Sequence, residues 1–139
     1  MTKKQGLSTC LRLTNSMERP VSTDPNDFNI TVFARNQFEA THAWPDCPIE
    51  EVAFLRDEHR HVFHIESHKI VDHADRDTEF IVLKHRIGEF LEETYPDHKL
   101  GATSCEMLAI QLIGHFGLSM CIVSEDGENG AVVTPKEVE

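Results

Sequence analysis

Two long stretches of alternating apolar and polar residues constrain the fold of this 139-residue chain most strongly. In the first, residues 28–44, apolar side chains occupy alternate positions, as in a β-strand with one buried face. The second, about residues 59–71, also alternates and carries His59 and His61 two positions apart. Because successive side chains of a strand point to opposite faces, we expect these two imidazoles to share one face of a sheet.

The following stretch changes to the spacing of amphipathic helices. From Glu79, apolar residues recur three or four positions apart until Pro96 ends the pattern. A second helical stretch follows Ser104, a predicted N-cap, and ends near Gly117. Two short strands joined by a Gly-Glu-Asn turn complete the pattern. The order β-β-α-α-β-β predicts an α+β fold, an antiparallel four-stranded sheet with two helices on one face.

Length and charge narrow the class of protein. A chain of this length suits one domain, which we predict over residues 28–139 after an amino-terminal extension, residues 1–27, with a short strand at residues 10–14. The net charge of −11 argues against a nucleic-acid-binding face. Since no apolar run reaches the roughly 18 residues of a membrane span, and the start lacks the core of a signal peptide, we expect a cytoplasmic protein without a membrane partner.

The four cysteines are widely spaced, so neither a disulfide framework nor a cysteine zinc site is expected. Cys105 and Cys121 lie in apolar contexts and are predicted to be buried. Cys47 lies in the loop-like segment His-Ala-Trp-Pro-Asp-Cys-Pro, which makes it the thiol with the clearest prospect of a functional role.

A third histidine accompanies the pair on the second strand. His42 ends the first strand, which we expect to lie beside the strand of His59 and His61. Three neutral imidazoles leave one coordination position open, the arrangement typical of catalytic rather than structural zinc. The spacing therefore predicts a Zn²⁺ site, with a histidine-rich surface strand that binds no metal as the alternative.

Six short motifs follow one another along the predicted domain. They are Phe38-x-Ala40-x-His42, His59-Arg60-His61, Glu79-Phe80-x-x-Leu83-Lys84, Asp97-His98, Glu106-x-Leu108-Ala109 and Val123-x-Glu125. In this order they resemble the motifs of the tunnelling-fold pterin enzymes, the 6-pyruvoyltetrahydropterin synthase and 6-carboxytetrahydropterin synthase family. The resemblance extends from about residue 28 to residue 133.

The resemblance implies an activity, a partner molecule and an assembly. The substrate would be 7,8-dihydroneopterin triphosphate, and the product 6-carboxytetrahydropterin would feed 7-deazaguanine (queuosine-type) biosynthesis. The chain would form a homotrimer or homohexamer whose sheets close into a barrel. The implied site residues are the zinc ligands His42, His59 and His61, the acid–base pair Asp97 and His98, and the pterin-binding acids Glu125 and Glu106.

One family position differs in this chain. Leu55 stands where the family has its catalytic cysteine, and we predict that Cys47, in the same connecting segment, replaces it. Three alternatives remain open. They are a pyruvoyltetrahydropterin synthase-type or neopterin aldolase-type activity, a catalytically inactive pterin- or purine-binding homologue, and a metal-binding structural protein without a pocket.

Overall fold

The computed structural model describes residues 20–137, which form one sheet and two α-helices. In chain order the elements are a 3-10 helix Pro25–Asp27, β1 Ile30–His42, a 3-10 helix Glu50–Arg56, β2 His59–Val71, α1 Phe80–Thr94, β3 Lys99–Gly101, α2 Cys105–Phe116, β4 Met120–Glu125 and β5 Asn129–Val133. The α+β class predicted from the periodicity is confirmed. The strand predicted at residues 10–14 lies outside the described residues.

The two alternating stretches form the longest pairing of the sheet. β1 and β2 run antiparallel along their full length, from Ile30 opposite Val71 to His42 opposite His59. β4 pairs with the other edge of β2, and β5 pairs antiparallel with β4. Because directly opposed residues of an antiparallel pair share a face, the buried positions of β1 and β2 lie on the same side of the sheet.

The prediction of a four-stranded, fully antiparallel sheet is wrong in one respect. The sheet has five strands in the order β3-β1-β2-β4-β5, and β3 runs parallel to β1. The segment between the helices passes the free edge of β1, where the Thr41 N–H donates to the His98 carbonyl oxygen at 3.0 Å and the Ala43 N–H to that of Gly101 at 2.9 Å. The sheet is mixed because these N–H groups, at the end of an edge strand, take acceptors from a passing segment.

Both helices cover the buried face of the sheet. The Glu79 carboxylate accepts two backbone N–H bonds at the start of α1, and the Ser104 hydroxyl accepts the Met107 N–H at the start of α2. α2 ends at Gly117, whose φ of +65° is left-handed and suits glycine. Within the described residues, no helix is long and apolar enough to cross a membrane. The largest fully buried apolar side chains of this core are Phe63, Ile65, Ile87, Leu91, Leu108, Leu112 and Val123.

The opposite face of the sheet carries no helix within residues 20–137. Phe33, Ile70 and Val132 lie on it and are about half or more exposed. Glu66 also lies on this face, where its carboxylate accepts hydrogen bonds from His68 Nε2 at 2.7 Å and Arg35 Nε at 2.8 Å. The polar pairs and exposed apolar groups make this second face chemically unlike the core face.

Candidate metal centre

Three histidines meet at the end of the β1–β2 pair. His42, the last residue of β1, lies opposite His59, the first residue of β2, and His61 lies opposite Ala40. All three imidazoles are on the core face, and their ring centroids are 4.6 to 5.4 Å apart. His59 and His61 thus share one face, as the alternation predicted. Arg60 points to the other face, where its guanidinium pairs with Glu39. Each histidine offers a ligand atom, and these atoms lie within 4.8 Å of one another.

Each imidazole is oriented by a hydrogen bond at Nδ1. The acceptor is the Thr103 carbonyl oxygen for His42, at 3.0 Å, and the Asp57 carbonyl oxygen for His59, at 2.7 Å. For His61 it is a carboxylate oxygen of Asp126, at 2.7 Å. Carbonyl and ionised carboxylate oxygens only accept, so Nδ1 must carry the proton in each ring. In the neutral form of all three histidines, Nε2 is therefore an unprotonated lone-pair donor.

The three Nε2 atoms are buried, and none of them has a hydrogen-bond partner within the described chain. A buried polar atom without a partner is costly, and three together on one face need a common explanation. Neutral imidazoles whose Nδ1–H groups are held by carbonyl or carboxylate oxygens are the usual form of histidine metal ligands. The residues therefore fit a metal ion bound by His42, His59 and His61, which agrees with the predicted ligand set.

Asp126 was missed by the sequence reasoning and holds His61 in place. It follows β4 in a tight turn with φ of +58°, and its second carboxylate oxygen accepts the Val62 N–H at 2.9 Å. Hydrogen bonds from Val62 and His61 lower the pKa of the Asp126 carboxyl below its usual value, so it is ionised at neutral pH. An acid before glycine at a strand end predicts a turn, but nothing in that signature points to His61.

A cavity of about 580 Å³ opens beside the three histidines. His42 and His59 line it together with apolar side chains from the β1–β2 connection and from α2, namely Trp44, Leu55 and Met107. Glu106 and Glu125, the two predicted pterin-binding acids, also line this cavity. The structure thus brings two of the three predicted zinc ligands and both predicted substrate-binding acids to one cavity, and Leu55 reaches it as well.

Glu125 is the acid that approaches the Nε2 side of the histidines. Its carboxylate oxygens lie 3.1 Å from His42 Nε2 and 3.5 Å from His61 Nε2, and its side chain is about one quarter exposed. Cys105 Sγ lies 4.0 Å from one of the same oxygens and faces the cavity. Burial, followed by the negative charges of Glu125 and Glu106, raises the pKa of the Cys105 thiol to about 12. Cys105 is thus a neutral thiol at pH 7, buried as predicted.

Cys47, the predicted replacement for the family cysteine, lies in the β1–β2 connection but away from the cavity. Its thiol is buried and faces the carbonyl oxygens of Ile49 and Val52, at 3.6 and 3.8 Å. It is absent from the cavity lining formed by residues 20–137. A catalytic role for Cys47 stays a prediction, and this arrangement brings it no nearer to the histidines.

Asp97 and His98, the predicted acid–base pair, lie beside β3 and are also absent from the cavity lining of the described chain. His98 Nδ1 donates to the Glu39 carbonyl oxygen at 2.6 Å, and Nε2 contacts a Glu92 carboxylate oxygen at 2.9 Å. Asp97 instead accepts the Lys99 N–H at 3.3 Å. The carboxylate that this structure places at the His98 imidazole is therefore Glu92, and the acid–base role of Asp97 and His98 stays a prediction.

Fold and site together define an α+β protein with a three-histidine candidate metal centre at one end of its sheet. A scan against protein-family models and a search of curated proteins both found no match for this chain. What this chain binds or converts must therefore be inferred from the geometry of the site and from the order of the motifs.

Proposed function

We propose that this chain is a zinc-dependent lyase of the 6-carboxytetrahydropterin synthase type, acting on 7,8-dihydroneopterin triphosphate. The observation that carries the proposal is the set of three buried Nε2 atoms beside the cavity that have no hydrogen-bond partner among residues 20–137. An all-imidazole set with an open position is typical of catalytic zinc, whereas structural zinc sites are four-coordinate and closed. Zinc bound there would supply Lewis acidity toward substrate hydroxyl groups.

The cavity lining supports a flat, hydrogen-bonding heterocycle as the substrate. Trp44, Leu55 and Met107 offer apolar surface next to the histidines, which suits the faces of an aromatic ring. Carboxylates accept paired N–H groups well, and a pterin presents such a pair on its 2-amino and ring N–H edge. Glu106 and Glu125 are the acids available for this role.

Proton transfer in the proposed reaction requires that several copies of this chain form an oligomer. Leu55 faces the cavity at the position of the family cysteine and cannot carry a proton. Asp97 and His98 lie outside the cavity of their own chain, so a neighbouring subunit of the proposed trimer or hexamer would have to supply them. Light scattering of the purified protein should then give three or six times the chain mass of 15.8 kDa, and a monomer would contradict this proton-transfer scheme.

The activity is tested with purified, zinc-loaded protein and 7,8-dihydroneopterin triphosphate, with product masses recorded. Release of triphosphate and formation of 6-carboxytetrahydropterin is the expected result. His42→Ala should abolish turnover. His85→Ala changes a histidine that is exposed on α1 and does not line the cavity, and it should leave turnover unchanged. If pyruvoyltetrahydropterin or an aldolase product formed instead, the proposed substrate would be correct and the proposed reaction would be wrong. Unchanged substrate at high protein concentration would contradict the lyase.

A second candidate, a pterin-binding protein without turnover, is favoured by Leu55. This side chain lines the cavity at the point where the family needs a proton-transferring thiol. Such a protein would bind dihydroneopterin with the same dependence on zinc and would release it unchanged. Calorimetric binding without product formation would select this candidate over the enzyme, and the Leu55→Cys variant would then be expected to gain activity.

A further inference from the structure

Glu125 approaches the histidines in a way that a pterin-binding role does not explain. The last residue of β4, it directs its two carboxylate oxygens at His42 Nε2 and His61 Nε2, at 3.1 and 3.5 Å. These are the same nitrogens that have no hydrogen-bond partner within the described residues. The carboxylate oxygens and the imidazole nitrogens, all of which can bind a metal ion, are therefore in close contact without a hydrogen bond between them.

Two lone-pair atoms at this separation require a positive charge between them. Nδ1 of His42 and of His61 already donates, to Thr103 and Asp126, so the neutral rings have no proton on the side of Glu125. An anionic carboxylate facing two imidazole lone pairs in a partly buried site is repelled unless a proton or a metal ion lies between them. A single proton would join the carboxylate to one imidazole, whereas one metal ion joins it to both. A metal ion shared by the carboxylate and the histidines resolves this conflict.

The distances agree with a common metal ion. Zinc binds histidine nitrogen and carboxylate oxygen at about 2.0–2.2 Å, so two ligands of a tetrahedral ion lie about 3.3 Å apart. The distances from the Glu125 oxygens to the two Nε2 atoms, 3.1 and 3.5 Å, are close to this ligand–ligand distance. Carboxylate oxygen is also an ordinary zinc ligand, as imidazole nitrogen is.

We propose that Glu125 is the fourth metal ligand of the substrate-free protein and that it occupies the coordination position left by the three histidines until a substrate displaces it. This inference rests on the proposed metal site but not on the identity of the substrate. Glu125 is about one quarter exposed and is followed by a three-residue turn, residues 126–128, whose first two residues have left-handed backbone. Its side chain therefore has room to rotate away when a substrate oxygen takes its place. The released carboxylate then faces the cavity and its heterocycle.

The experiment uses the 139-residue chain loaded with Co²⁺, whose visible absorption reports coordination. The metal is titrated first and imidazole second. Glu125→Gln should weaken Co²⁺ binding about 10- to 100-fold. The same variant should bind imidazole at the metal more tightly than the wild type, because the fourth position no longer has a protein ligand. Imidazole is neutral, so its affinity depends less on the charge lost with Glu125 than the affinity of an anionic probe would.

Matched variants separate ligation from general effects. Glu128→Gln removes an exposed acid from the same hairpin and should leave both affinities unchanged. Glu125→Asp keeps the charge but shortens the reach, and its Co²⁺ affinity should fall between those of the wild type and the glutamine variant. Circular dichroism of each variant shows whether it is folded, and the aspartate variant provides the comparison if the glutamine variant does not fold.

The outcomes distinguish this inference from the proposed function. If wild type and Glu125→Gln had equal affinities for Co²⁺ and for imidazole, Glu125 would not be a metal ligand, and the three-histidine site would be unaffected. A wild type that binds no metal would overturn both proposals. Metal binding could be weakened in Glu125→Gln while the wild type neither binds nor converts the pterin. That result would support Glu125 as a metal ligand and contradict the pterin as the substrate.

Discussion

At the scale of single residues, the orientation of each imidazole depends on the atom opposite its Nδ1. For His61 this atom is a carboxylate oxygen of Asp126, whose other oxygen accepts the Val62 N–H. Asp126→Asn replaces one of the two acceptor oxygens with an NH₂ group, so the side chain can no longer accept both hydrogen bonds. We expect this change to weaken metal binding about 10- to 100-fold. Competition with a chromophoric chelator measures it.

The control for this prediction is Asp57→Asn. His59 donates to the backbone carbonyl of Asp57, so changing that exposed side chain leaves the hydrogen bond intact. Equal affinities for the Asp126→Asn and Asp57→Asn variants would show that the His61 orientation does not depend on the carboxylate.

Glu66 gives a pH prediction on the other face of the sheet. Hydrogen bonds from His68 and then Arg35 lower the pKa of the Glu66 carboxyl below its ordinary value of 4.5. A lowered folded-state pKa means that the stabilisation is present above the unfolded pKa and is lost as the pH falls through the folded pKa. Glu66→Gln should therefore lower the free energy of unfolding by about 1 kcal/mol or less at pH 6.

The same comparison at low pH completes the test of Glu66. Below its lowered pKa the wild-type carboxyl is protonated, so wild type and Glu66→Gln should have equal free energies of unfolding. Urea denaturation at several pH values between 3 and 6 measures the difference. A difference that grows as the pH falls would contradict the assigned direction of the pKa shift.

The candidate site was predictable from sequence only in part. His42, His59 and His61 were found because strand alternation and the pairing of neighbouring strands are local rules that fix which side chains share a face. Asp126 and Thr103 were not found, because their contacts depend on the conformations of loops that have no repeating pattern. The close approach of Glu125 to two imidazoles likewise depends on how β4 ends relative to β1 and β2.

At the scale of elements, β5 is held close to β4 by a glycine. A Cβ added at Gly130 would overlap backbone atoms of Val123 and Ser124, which cannot rotate away as a side chain could. Gly130→Ala should therefore push β5 off the sheet and lower the free energy of unfolding by about 1–3 kcal/mol. Chemical denaturation measures this change.

Gly114, on the exposed side of α2, offers the matched control. A Cβ there meets no described atom within 4 Å, and alanine favours helix more than glycine does. Gly114→Ala should raise the free energy of unfolding by up to about 1 kcal/mol. If Gly130→Ala left the free energy of unfolding unchanged or raised it, the close packing of β5 on β4 would be refuted.

The elements themselves divide into those with a pattern and those without. β1, β2, α1 and α2 are long enough for their periods and caps to predict them. β3 has only three residues and no alternation of its own, since it forms where a connecting segment meets the free end of β1. A strand that exists through a tertiary contact has no local signature, which is why the predicted sheet lacked it.

At the scale of the whole molecule, a bound metal ion would join one end of the sheet to the loops around it. At a free metal concentration 100 times the dissociation constant, binding adds about 2.7 kcal/mol to the free energy of unfolding. For a domain of this size, that raises Tm by roughly 10 °C. Calorimetry with and without metal measures the shift, and His85→Ala should respond like the wild type.

Hydrogen exchange can show which part of the molecule the bound metal stabilises. Metal should protect amides near His42 and His59 more than those at the far end of the same strands, near Ile30 and Val71. Uniform protection along β1 and β2 would indicate that metal acts elsewhere or on the fold as a whole.

The hydrogen bonds at Nδ1 tie the centre to three separate loops, before β2, before α2 and after β4. A cell that runs short of metal would therefore weaken all three loops at once, at the end of the sheet where they converge. Proteases cleave segments that can leave the folded surface, and these loops would become the first such segments. Metal supply would then govern how long each copy of the protein survives.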